Sequence, residues 1–67
     1  MIKLKVEGMT CNHCVMAVKK ALARVGGVEE VVEVSLERGE ALVRGTADPA
    51  RLVAAIEEEG YRARPLG

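Results

Sequence analysis

Phenylalanine and tryptophan do not occur in this 67-residue chain, and Tyr61 is its one tyrosine. Binders of single-stranded RNA or DNA usually stack bases on aromatic rings, so that class of function has little support here. Charge of neither sign is in excess, since ten Lys and Arg offset ten Asp and Glu. A formal net charge of zero argues against a phosphate backbone as the main partner. No apolar run approaches the roughly 20 residues of a membrane span, so no direct membrane insertion is expected. The opening "MIKLKVEG" alternates and lacks the apolar block of a secretory signal. With two cysteines close together and no export signal, a reducing cytoplasm is the expected compartment.

What is present suits one small domain over residues 1–67. Hydrophobic residues make up 49% of the chain, mostly Val, Ala and Leu, enough for a single core. A chain this short buries only about 60% of its unfolded surface, so its stability is modest but attainable without a staple.

Periodicity sets the layout. In "IKLKVE", Ile2, Leu4 and Val6 alternate with Lys3, Lys5 and Glu7, the period of a half-buried strand. From Cys14 to Val25 the spacing becomes helical, with Cys14, Val18, Leu22 and Val25 on one face. Gly26 and Gly27 then suit a helix end. "VEEVVEVSLE" predicts a second strand that buries Val32, Val34 and Leu36, and "ERGE" a hairpin turn at Gly39. "EALVRG" is the third strand. Asp48 as N-cap and Pro49 at the first helical position open a second helix, whose buried stripe is Leu52, Val53 and Ile56. It ends at Gly60, and "YRARP" gives a short last strand with Pro65 at an edge. This βαββαβ order predicts an α+β, ferredoxin-like sandwich: a four-stranded antiparallel sheet with both helices on one face.

The chemistry gathers in "GMTCNHC", residues 8 to 14. Cys11 falls in the loop after the first strand and Cys14 in the first turn of the helix. Unpaired backbone N–H groups and the positive end of the helix dipole favour thiolates there. Thr10 is placed to cap that helix. Thiolates suit copper(I), zinc and other thiophilic ions. A closed zinc site wants four ligands, whereas the whole chain holds two cysteines and one histidine. The arithmetic favours a soft ion of low coordination number. Oxidation to a disulfide is an expected off-state.

"GMTCNHC", followed by "VMAVKKAL", "GV" and "EEEGY", resembles the heavy-metal-associated domain, and within it the free-standing bacterial copper chaperones. The resemblance spans essentially the whole chain. It implies copper(I) held by Cys11 and Cys14 and handed by thiolate ligand exchange to the N-terminal domains of a copper-transporting P-type ATPase. It also implies that Tyr61 lies near the metal loop and that Met9 packs beneath it.

Each supporting residue has a plainer reading. His13 is a third ligand, a contact between two chains sharing copper, a tuner of thiolate charge, or a solvated loop residue. Tyr61 either shields the thiolates or is structural. Lys19, Lys20 and Arg24 are a solvated face or a docking face. An exposed two-thiolate site also leaves coordination positions free for a copper-bridged homodimer. The rival functions are a carrier of zinc, cadmium or mercury, a metal-binding domain excised from a transporter, and a thiol-disulfide redox protein. A redox protein of the thioredoxin type needs a longer chain and another strand order. One histidine without a nucleophile–base–orienter set makes no enzyme, so the expectation is a carrier.

Overall fold

Strands and helices follow one another as the periodicity predicts: β1 (Ile2–Glu7), α1 (Asn12–Ala23), β2 (Val28–Ser35), β3 (Glu40–Gly45), α2 (Pro49–Glu58) and β4 (Arg62–Leu66). The structure, a computed structural model, describes residues 1–66; Gly67, the last residue of the expected domain, lies outside that range. The strands form one antiparallel sheet in the order β2-β3-β1-β4. This is the ferredoxin-like arrangement, with α1 over β2 and α2 over β4 and β1.

One face of the sheet is apolar because strand register brings like residues together. Leu4 lies opposite Ala41, Val6 opposite Ala63, and Val31 opposite Val43. Val18 and Leu22 of α1 and Leu52 and Ile56 of α2 close over that face, all fully buried. Each such side chain contributes about 1.5–3 kcal/mol of burial. The core has no buried polar residue among the described residues. On the opposite face Lys3 meets Glu40 at 3.4 Å and Arg44 meets Glu30 at 3.3 Å, exposed pairs of small energetic weight.

The second helix starts as its sequence says. Asp48 accepts a hydrogen bond from the Ala50 N–H at 2.9 Å, and Pro49 occupies the first helical position. At the end of β3, Gly45 has φ +145°, and a Cβ there would strike the Gly27 carbonyl oxygen. That same carbonyl accepts from the Thr46 N–H at 2.9 Å, so the α1–β2 connection is tied to the end of β3. Pro65 sits in β4, an outer strand, as its missing N–H requires.

Four local expectations are corrected. The second strand buries Val28, Val31 and Val34 against the core, while Val32 and Leu36 are exposed. Register shifts between Val28 and Glu30 and between Val31 and Glu33 are the cause. Each inserts an extra residue and turns the following side chains over, so the simple alternation fails. The strand also stops at Ser35 rather than Glu37, and β4 runs one residue later than "YRARP". Finally, α1 begins at Asn12 with Cys11 as its N-cap and no side-chain cap. Thr10 therefore lies one residue too early to cap the helix.

Candidate metal centre

The β1–α1 loop is shaped by its first residue. Gly8 has φ +98°, which a side chain rarely allows, and Tyr61 Cδ1 lies 3.4 Å from where its Cβ would stand. The glycine thus turns the chain and leaves room for the ring. Met9 packs against the core, matching its reading as a packing residue. The Cys11 carbonyl then accepts from the N–H groups of Cys14 at 3.0 Å and Val15 at 3.3 Å, which starts the helix and fixes the two cysteines on one turn.

Both thiols are free, Cys11 exposed and Cys14 half-buried. Their sulfurs are 3.7 Å apart, and the Thr10 hydroxyl is 3.8 Å from the Cys14 sulfur. The hydroxyl that the sequence assigned to helix capping is turned toward the sulfur instead. The Cys14 thiol falls from an ordinary 9.0 to about 6. The Thr10 backbone N–H is the largest cause, followed by the Tyr61 hydroxyl, while burial opposes them. The Cys11 backbone and the Thr10 hydroxyl add smaller effects in the lowering direction. The same contact raises the Tyr61 phenol above its usual value, first because ionising it would forfeit the hydrogen bond it donates to Cys14, then through burial and repulsion from the Cys14 charge. At neutral pH Cys14 is therefore mostly thiolate.

This arrangement carries a direct test. Phenylalanine at position 61 removes a hydrogen-bond donor but keeps the ring. The Tyr61→Phe protein should titrate Cys14 at a higher pH, yet still below 9.0, since the larger Thr10 contribution survives. Thiolate absorbance near the far ultraviolet against pH reads this out; an unmoved midpoint would remove Tyr61 from the site.

Sulfur spacing limits what the pair can hold. A disulfide needs about 2.05 Å. With a metal–thiolate bond of about 2.3 Å, sulfurs 3.7 Å apart subtend an angle of roughly 107° at a shared ion. Opening to about 4.6 Å makes the same pair linear. Among the described residues no group of three or more His, Cys, Asp and Glu could hold a metal. His13, beside Cys14 in sequence, is exposed, and it is not among the groups acting on the Cys14 thiolate. Sequence reasoning missed the Thr10 backbone N–H, which no side-chain pattern marks.

The model of the family described as the heavy-metal-associated domain matches residues 3–62. The chain belongs to that family. Over 67 residues this heavy-metal-associated domain is 36% identical to the copper chaperone CopZ of Enterococcus hirae, covering 96% of each chain. The apo structure of the Enterococcus hirae copper chaperone superposes with a TM-score of 0.90 at 33% identity, covering 98% of this chain and 100% of the other. A copper-exporting P-type ATPase of Vibrio cholerae is 46% identical over 66 residues, and a mercuric reductase of Shewanella putrefaciens 44%. Those matches cover 97% and 96% of this chain but only 7% and 12% of the larger proteins. The copper chaperone of Enterococcus hirae matches over nearly the full length of both chains, as do the N-terminal domain of PacS from Synechocystis and the oxidized MerP of Ralstonia metallidurans. Such metal-carrying domains agree with the carrier, rather than enzyme, expected from sequence. Among the described residues no helix of this heavy-metal-associated domain is long and apolar enough to cross a membrane.

Proposed function

We propose that this chain is a copper(I) chaperone of the cytoplasm that binds one ion through Cys11 and Cys14. The observation that carries the reading is the sulfur pair itself: two free thiols 3.7 Å apart on one exposed turn, with no third charged or imidazole donor grouped with them. Such a pair is too poor in ligands for structural zinc and sufficient for a soft monovalent ion. Because Cys14 is already ionised near neutral pH, little proton release opposes loading there.

Release follows from the same poverty of ligands. A two-coordinate ion leaves room for an incoming thiolate, so a partner's cysteine attaches before either of this chain's sulfurs departs. Tight holding and fast exchange then coexist. The receiver proposed is an N-terminal domain of a copper-transporting P-type ATPase, since such a protein contains a segment similar to 97% of this chain. A second reading, a mercury(II) carrier, is favoured by the match to the mercuric reductase.

Reduced protein offered copper(I) and zinc(II) together, without oxygen, should emerge in native mass spectra with one copper and no zinc. Mixed with an N-terminal domain of a copper ATPase, it should then share its ion with that domain. Zinc occupancy at the expense of copper would overturn the proposal. If copper stays in place in that mixture while mercury(II) moves, the second reading takes over.

A further inference from the structure

Beside the thiols, α1 carries two more metal-binding side chains that copper handling at the cysteines leaves unused. His13 and Met16 lie three residues apart and line one groove of about 290 Å³, together with Lys20 and Arg24 of the same helix and Glu59 after α2. Met16 is 55% exposed, so its thioether is open to solvent. No side-chain hydrogen bond or ion pair of the described residues involves His13, so its ring is free to turn.

Helical residues three apart have Cβ atoms about 5–6 Å from each other. Metal–imidazole and metal–sulfur bonds of about 2.0–2.3 Å place two such donors up to about 4.4 Å apart. An imidazole and a thioether on adjacent turns can therefore close on one ion without bending the helix. A thioether selects soft ions. Lys20 and Arg24 lower the affinity of any cation in the groove, which Glu59 offsets in part. A singly charged ion suffers least from those cations.

We propose a second, weaker soft-metal site on the flank of α1, formed by His13 and Met16 and taking a monovalent thiophilic ion. It stands whichever ion the cysteines carry. Silver(I), which does not change oxidation state here, is the probe. In the intact reduced protein the second equivalent should shift the Met16 methyl and His13 ring resonances together. Met16→Leu, an exchange of similar volume at an exposed position, should weaken the second equivalent about tenfold or more and leave the first unchanged. In the Cys11→Ser/Cys14→Ser protein the same two residues should still respond. The proposal falls if the Met16 methyl does not move at the second equivalent, or if Met16→Leu changes that affinity by less than about twofold. Failure of the first equivalent to reach the cysteines would instead strike the chaperone reading, and is read on different resonances.

Discussion

Serine in place of either Cys11 or Cys14 should reduce copper(I) affinity by at least a few hundredfold. Structural zinc sites gain about 10–16 kcal/mol from four ligands, or about 2.5–4 kcal/mol for each. At a factor of ten per 1.4 kcal/mol, losing one such ligand costs on the order of a few hundredfold. A site with only two sulfurs leans on each more heavily, because no remaining group of donors compensates. The hydroxyl of serine is a hard, protonated donor at neutral pH and does not replace a thiolate. Competition against a chromophoric copper(I) chelator, performed without oxygen, measures the loss. Unchanged affinity in Cys11→Ser would show that copper sits elsewhere. Neither substitution should unfold the protein, since Cys11 is exposed, Cys14 is half-buried, and neither belongs to the buried cluster.

The second large effect belongs to the core that holds the site. Leu22 lies two turns beyond Cys14 on the same helix face and is 0% exposed. Leu22→Ala leaves a cavity between α1 and the sheet and should cost about 2–5 kcal/mol. A domain of this size has only about 3–10 kcal/mol in total, so the loss is a large share. With about 4–8 °C of melting temperature per kcal/mol, a midpoint fall of at least about 8 °C is expected in thermal unfolding. Val32→Ala supplies the contrast. Its side chain is 40% exposed, and an exposed substitution of this kind stays within about 0.5 kcal/mol. Equal losses in the two variants would mean that β2 presents the opposite face to the helices.

Much of this architecture was legible because it is local. Alternation in "IKLKVE", helical spacing through Val18 and Leu22, and the Asp48–Pro49 start each depend on neighbours within a turn or a strand. β3 came out with the bounds read from "EALVRG". The β2 face was not legible in the same way. "VEEVVEV" supports burial of Val32 and Val34 if the strand is regular, and of Val28, Val31 and Val34 if it carries bulges. Bulges arise from pairing with β3 and from the fit of α1 on the sheet, which lie far away in sequence. The Thr10 side chain was misassigned for a related reason. A shift of the helix start by one residue makes a capping group into a neighbour of sulfur.

By itself the sequence determined the order of elements, the apolar residues of both helices, and which two side chains bring soft donors to the start of a helix. Those features need only the chain's own periods and the chemistry of single residues. The family resemblance placed Tyr61, at the far end of the chain, near the metal loop, but only the tertiary structure shows that it lowers the pKa of the Cys14 thiol. Tertiary structure also decided that the Thr10 amide turns toward the same sulfur, and that the sulfurs stand 3.7 Å apart. The physical reason is one of range. A thiol's reactivity follows from the donors that folding brings around it, and here the second strongest of them arrives from the loop before β4, distant in sequence but next to the metal loop because β4 pairs with β1.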